Sequence, residues 1–141
     1  MIFNPSRDQA RDFLFESWRK HSTKEVLTPL EDMAVKLIGL HPEYHALLED
    51  QERNRGREFQ TSQGETNPFL HLMMHLSIEE QISIDQPAGI RAQFTRLTNK
   101  FGSEHDAQHR IMDCLGEMVW QAQRNGTQPD AQIYFGCLEK L

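Results

Sequence analysis

The sequence predicts an all-α protein, and two observations support this. Strand patterns are almost absent, because no four-residue alternation of β-branched and polar residues survives between turn signals. Helical periodicity instead follows every proline, and the first turn of a helix tolerates a residue without an N–H. The prolines are Pro5, Pro29, Pro42, Pro68, Pro87 and Pro129. We therefore expect a compact, mainly antiparallel bundle of about six or seven helical segments.

The helices follow one another with recognisable start and stop signals. Their expected ranges are 5–20, 29–39, 42–51, 68–84, 87–100, 104–124 and 129–140. The expected N-terminal caps are Asn4, Asn67, Thr28 with Glu31 and Ser103 with Asp106, and Asn125 with Gly126 ends the sixth helix. Segments 29–39 and 42–51 are separated only by "LH", so one kinked arm is an alternative to two helices.

The chain has the length of one ordinary domain. Its 141 residues suffice for a single core, so we expect one helical domain over residues 1–141. The one long polar stretch, "QERNRGREFQTSQGET" at 51–66, lacks helical periodicity. We expect a flexible surface loop there, and the alternative is a lid over a binding site.

Composition excludes several classes of protein. The net charge of −6 and the lack of a Lys/Arg-rich block argue against a nucleic-acid partner. No apolar run approaches the length of a membrane span, and "MIFNPSRDQARDF" lacks the features of a signal peptide. We therefore expect a cytoplasmic protein without a membrane partner. Its partner, whether protein or small molecule, and its oligomeric state are not indicated.

The two cysteines carry little functional signal. Cys114 and Cys137 fall on different expected helices and lack a CxxC spacing. This arrangement suggests neither a disulfide framework nor a zinc ribbon. We therefore expect two small buried thiols.

The histidines are distributed unusually. Six of the seven form pairs four residues apart, whereas random placement would give about 0.3 such pairs. An acidic residue follows each pair after four more positions. The three sets are His41, His45 and Glu49; His71, His75 and Glu79; and His105, His109 and Asp113.

Metal coordination is the chemistry that uses this spacing. Residues four apart share one helix face, so two imidazoles can bind one ion and an acid one turn on can join them. The predicted ligands are His71, His75, His105 and His109, then His41 and His45, with Glu79 and Asp113 as ligands or as partners that orient the imidazoles. Imidazole suits zinc, iron, nickel and copper, whereas added carboxylates favour iron or manganese. No organic cofactor is predicted, and no catalytic residue is indicated.

The three pairs differ in their expected position. His71 and His75 share a sector with apolar residues of helix 68–84, so this pair is expected to face the core. His105 and His109 are expected at the edge of the core. His41 precedes a proline and is expected outside regular helix, which makes the geometry of its pair approximate.

A structural role for these histidines is the alternative. A buried imidazole is commonly satisfied by a backbone carbonyl, a carboxylate or another histidine. His21, in "RKHSTKE" near a helix end, is expected only to cap that end or to interact with its dipole. Glu117 lies too far around its helix from His105 to be more than an outer ligand.

Several motifs together resemble one known family. They include "NPSRDQAR", "HPEYHALLED", "GETNPFLHL" and "CLGEMVWQAQRNG". Over nearly its full length the chain resembles a family of short bacterial proteins catalogued only as a domain of unknown function, a resemblance that implies no activity. Paired histidines on helices are also similar to those of hemerythrin-like and DinB-like metalloproteins. The hemerythrin order of His, His-x-x-x-Glu and His-x-x-x-His is not reproduced, so this second likeness does not define function.

Two classes of function follow from the sequence. The first is a metal-binding helical protein, conceivably an enzyme in which an open coordination position activates water, a thiol or oxygen. The second is a non-catalytic interaction domain, whose acidic helices bind a protein partner and whose histidines are structural. Elemental analysis of the purified protein discriminates between them.

Overall fold

The structure is a computed structural model that describes residues 6–141. Helices are the only regular secondary structure among these residues, which confirms the all-α prediction. Eight α-helices follow one another, with 3-10 turns at Pro42–Tyr44 and Thr61–Gln63. They are α1 (Arg7–Ser22), α2 (Pro29–Gly39), α3 (His45–Leu48), α4 (Gln51–Asn54), α5 (Pro68–Ile84), α6 (Ile90–Phe101), α7 (Glu104–Asn125) and α8 (Ala131–Glu139). None of these helices is both long and apolar enough to cross a membrane.

Several helices begin at the residues that the sequence indicates. Thr28 and Glu31 form the expected capping box of α2, with each side chain accepting the backbone N–H of the other residue. The pKa of the Glu31 carboxyl lies below its usual value, mainly because it accepts the backbone N–H of Thr28 and secondly because it accepts a hydrogen bond from the Lys20 side chain. Asn67 likewise caps α5, because its side-chain oxygen accepts the N–H of Phe69 at 3.1 Å.

Other boundaries differ from the prediction for identifiable reasons. The single helix predicted over 42–51 is wrong, because Asp50 leaves the helical region (φ −127°, ψ 75°) and caps α4 with its side chain. The fifth predicted helix begins at Ile90 instead of Pro87, since Gly89 has a φ of 101°. Ser6 caps α1, whereas the predicted cap Asn4 and Pro5 lie outside the described residues.

The polar segment 51–66 contains α4 and one of the 3-10 turns instead of irregular chain alone. Arg11 of α1, only 3% exposed, donates to the carbonyl oxygens of Arg55 at 2.9 Å and Arg57 at 2.7 Å. Its guanidinium also lies 4.4 Å from the centre of the Phe69 ring. These contacts tie the first half of the segment to α1, and the flexibility of the whole segment stays a prediction.

The chain divides into two compact units, with the division between Leu76 and Ser77 within α5. The first unit contains α1 to α4 and the beginning of α5, and α1 packs on α2. Its apolar core comes from several helices: Leu14, Phe15, Trp18, Ala34, Val35, Leu37, Ile38, Leu48, Phe69, Leu72, Met73 and Leu76. The expectation of a single domain stays a prediction.

The second unit contains the end of α5 with α6, α7 and α8, and α7 packs on both α6 and α8. Here the expectation of two free thiols is wrong, because Cys114 of α7 and Cys137 of α8 form a disulfide, with a Cα–Cα distance of 5.5 Å. The helical periodicity of each segment does not reveal that α8 folds back with its cysteine against α7. Tyr134 of α8 also donates a hydrogen bond to Gln81 of α5 at 2.8 Å.

Candidate metal centre

Three imidazole rings lie together in the first unit: those of His41, His71 and His75. Their ring centres are 5.1 Å apart for His41 and His71, 4.9 Å for His41 and His75, and 4.8 Å for His71 and His75. His41 and His75 are buried, and His71 is half-buried. Two histidines one turn apart on α5 thus meet a histidine that is far from them in sequence, and the predicted core-facing position of the α5 pair is confirmed for His75.

The backbone at the end of α2 determines which nitrogen of His41 carries a proton. Nδ1 of His41 lies 2.8 Å from the carbonyl oxygen of Leu37. Because a carbonyl only accepts, Nδ1 donates its proton there, which leaves the lone pair of neutral His41 on Nε2. Histidines that bind metals are commonly oriented in this way, with one ring nitrogen bonded to a carbonyl and the other directed at the ion.

The Nε2 atoms of His41 and His71 are 3.3 Å apart. Two nitrogens bound to one tetrahedral ion at about 2.0–2.1 Å are separated by about 3.3–3.4 Å. The observed distance between the two Nε2 atoms therefore also suits two ligands of the same metal ion. His71 can alternatively donate its Nε2 proton to the lone pair of His41. The same two rings can therefore make a hydrogen bond or coordinate an ion.

Within the second unit, His105 and His109 lie one turn apart near the beginning of α7. Their ring centres are 4.3 Å apart, and both side chains are half-buried, as expected for residues at the edge of the core. The hydroxyl of Ser103 accepts the N–H of Asp106 at 3.0 Å and so fixes the start of α7 as the sequence indicates. The helix that begins at this cap brings both imidazoles to one face, because they are four residues apart.

The first unit thus contains a cluster of three histidines, His41, His71 and His75, with the composition of a metal site. His105 and His109 form a pair in the second unit, and their participation in one site with these three residues stays a prediction.

The remaining predicted ligands have other surroundings. His45 donates from Nε2 to the carbonyl oxygen of Ile38 at 2.8 Å, and its ring centre lies 4.5 Å from that of Trp18. Glu79 is half-buried and accepts a hydrogen bond from Gln108 at 2.5 Å. Asp113 is exposed on α7. The cluster of His41, His71 and His75 contains none of these three residues, and their role as ligands stays a prediction.

Tyr44 is a neighbour of these histidines that the sequence analysis did not single out. Its ring lies parallel to that of His41, with a centre-to-centre distance of 5.3 Å, and edge-on to that of His71 at 6.0 Å. Burial, and then the Glu43 carboxylate, raise the pKa of Tyr44, so the phenol stays neutral at physiological pH. Its position in "HPEYH", inside the pattern of a histidine pair, is the signal that would have revealed it.

The fold and these imidazoles define a class of protein: an all-α protein with a buried histidine cluster that could bind a metal ion. Residues 6–140 match the family model described as a domain of unknown function, DUF1841. The chain belongs to this family, which confirms the resemblance of its motifs. No curated protein and no solved structure matches the chain.

Proposed function

We propose that this protein binds a transition metal ion through its clustered histidines. The observation that carries the proposal is the approach of three imidazole rings, those of His41, His71 and His75, with centres 4.8–5.1 Å apart. The tautomer of His41 supports it, because the Leu37 carbonyl directs the lone pair to Nε2, which lies 3.3 Å from Nε2 of His71. We include His105 and His109 as further candidate ligands because their rings lie together on one helix face.

The chemistry of the donors narrows the choice of metal. Imidazole nitrogens suit zinc, iron, nickel and copper, whereas manganese prefers carboxylate and water oxygens. The cluster in the first unit consists of histidines alone, and Asp113 is exposed. We therefore propose zinc or iron first and nickel next, with manganese only if Glu79 or Asp113 also coordinates.

Elemental analysis of purified, untagged protein tests the proposal directly. We expect a stoichiometric transition metal in the wild type and loss of most of it in His75→Ala and His109→Ala. His21→Ala is the matched control, because His21 stacks on Trp18 and is not one of the candidate ligands. Wild-type metal content in both site variants would refute this assignment of ligands, and a wild type that binds no added metal would refute the function.

A non-catalytic interaction domain is the second candidate. One observation favours it: His45 bonds the carbonyl of Ile38, so at least one of the paired histidines holds adjacent helices in place. In this case the remaining histidines serve the same purpose, and acidic helices bind a protein partner. The elemental analysis above separates the two functions.

The compartment also belongs to the proposal. The sequence predicts a cytoplasmic location, and this location stays a prediction. The Cys114–Cys137 disulfide favours an oxidising compartment, because cytosolic thiols are normally kept reduced. Fractionation of cells that produce the protein, with an assay of the state of both cysteines, decides between the two.

A further inference from the structure

A cavity of about 500 Å³ lies in the first unit, against the segment that follows His41. This volume is typical of sites for small molecules, which combine apolar walls with a few polar groups. Tyr44, Leu47 and Phe59 provide apolar surface, and Glu43 and Arg53 are among its charged residues. The cavity thus has the size and the mixed chemistry of a ligand site.

Tyr44 connects the cavity with the candidate metal centre. The same ring that lines the cavity is parallel to the His41 ring at 5.3 Å and edge-on to the His71 ring at 6.0 Å. A molecule that contacts Tyr44 in the cavity therefore touches a ring that itself adjoins two candidate ligands. This places the cavity where a substrate or regulator of the metal centre would bind.

The charged residues that line the cavity differ in whether they already make hydrogen bonds or ion pairs within the protein. Asp50 accepts the backbone N–H of Arg53 at 3.1 Å, and Glu65 accepts the backbone N–H of Gln60 at 2.7 Å. Arg57 lies 3.4 Å from Glu65 and over the Phe59 ring. These contacts commit three of the five charges to the protein itself.

Glu43 and Arg53 are the two remaining charges. Both side chains are exposed, and neither has a recorded hydrogen bond or ion pair with another part of the chain that the structure describes. One carboxylate and one guanidinium are thus available to a ligand. An ion of a single sign gains from one of these groups and is repelled by the other, whereas a ligand with both signs can pair with each.

We propose that this cavity binds a small apolar zwitterion, of the class of a free amino acid with an apolar side chain. Its ammonium group pairs with Glu43, its carboxylate pairs with Arg53, and its apolar body packs among Tyr44, Leu47 and Phe59. Arginine suits the second role because its planar guanidinium matches a carboxylate in bidentate geometry. Only the relevance of this ligand to a metal ion rests on the proposed function, since binding itself needs no metal.

Three probes that share a phenylethyl group test the requirement for both charges. L-Phenylalanine carries both, 3-phenylpropionate only the carboxylate, and 2-phenylethylamine only the ammonium. Binding is measured by saturation-transfer NMR and calorimetry on metal-free and zinc-supplemented protein, together with the metal content of each sample. We expect L-phenylalanine to bind at least about tenfold more tightly than either singly charged probe.

Two charge-neutralising variants identify the groups that hold the ligand. Arg53→Gln and Glu43→Gln should each weaken the binding of L-phenylalanine at least about tenfold, with circular dichroism spectra unchanged because both side chains are exposed. Glu139→Gln and Lys140→Gln, at exposed positions outside the cavity lining, are matched controls that should bind as the wild type does.

The possible results separate this inference from the proposed function. Failure of L-phenylalanine to bind either form of the wild type overturns the inference, as does equal binding of 3-phenylpropionate or 2-phenylethylamine. Unchanged affinity in both Arg53→Gln and Glu43→Gln overturns the assigned site. Binding of L-phenylalanine by a protein that takes up no metal supports the cavity and refutes only the metal-binding function.

Discussion

Reduction of the Cys114–Cys137 disulfide should lower the stability of the protein by a calculable amount. The two cysteines are 23 residues apart in sequence. In the chain-entropy model, a cross-link that closes a loop of this length restricts the unfolded chain and contributes about 3 kcal/mol near 25 °C. For a chain of this size, a loss of that magnitude corresponds to a decrease in melting temperature of roughly 10 °C.

The assay compares oxidised and reduced protein in the presence of a chelator, so that changes in metal content do not contribute. Melting temperatures are measured by circular dichroism with and without a phosphine reductant, and thiols are counted in denatured samples. The double variant Cys114→Ala, Cys137→Ala is the control. It should melt near the temperature of the reduced wild type and should not respond to the reductant.

Two results would show that this reasoning is wrong. The first is a wild type purified without reductant that contains two titratable thiols, since the disulfide would then be absent in solution. The second is a fully oxidised wild type that melts at the same temperature as its reduced form. In that case the unfolded chain would already be restricted by residual structure, and the loop-closure estimate would not apply.

Four further predictions concern other parts of the molecule. Thr28→Ala should lower the free energy of unfolding, measured with urea, by about 1 kcal/mol, because it removes the acceptor for the Glu31 N–H. An unchanged midpoint of the urea transition would contradict this. Because the pKa of Glu31 is lowered in the folded state, its ionised carboxylate contributes to the free energy of unfolding. This contribution should be complete above the ordinary pKa of glutamate and should be lost as pH falls through the lowered pKa. In urea unfolding, Glu31→Gln should therefore be less stable than the wild type near neutral pH and equally stable in acid. Arg11→Met should accelerate tryptic cleavage within 51–66, mapped by mass spectrometry, because it removes the donor to two carbonyls there; cleavage at the wild-type rate would show that Arg11 does not restrain the segment. Removal of bound metal with a chelator should lower the melting temperature of the wild type but not that of His75→Ala, and an equal decrease in both would place the metal elsewhere.

Local signals in the sequence were sufficient for most of the helices. Asn67 and Thr28 cap the helices that follow them, as their side-chain chemistry predicts. Such caps depend on residues only two or three positions away, so a single sequence contains the necessary information. The helix predicted over 42–51 was wrong because the same chemistry was overlooked at Asp50, which caps a separate helix.

The histidine spacing predicted the cluster less completely. It identified His71 and His75, which share a helix face in the regular helix α5. It paired His41 with His45, but the non-helical backbone of His41 before Pro42 separates the two, and their ring nitrogens bond different carbonyls. Which of them joins the cluster depends on tertiary contacts that spacing does not encode.

The disulfide depended on tertiary structure altogether. Cys114 and Cys137 meet because α8 returns along α7, and neither helix contains a local sign of the other. The sequence analysis did not single out Tyr44, whose position in "HPEYH" is a local signal but whose parallel contact with His41 is a tertiary one. Contacts between segments distant in sequence are the part of this structure that periodicity could not supply.

The hydrogen bond between His41 and the Leu37 carbonyl has a consequence for how this family could be studied genetically. The acceptor is an atom of the main chain, and every amino acid at position 37 would provide it. Scanning mutagenesis of side chains would therefore assign position 37 to packing and would miss its effect on the imidazole. An insertion or deletion near the end of α2 is the kind of mutation that would change the tautomer, because it moves the carbonyl and leaves the histidine intact. Among members of the family, we therefore expect the number of residues between Pro29 and Pro42 to vary less than the amino acids at these positions. An alignment of family members would measure this.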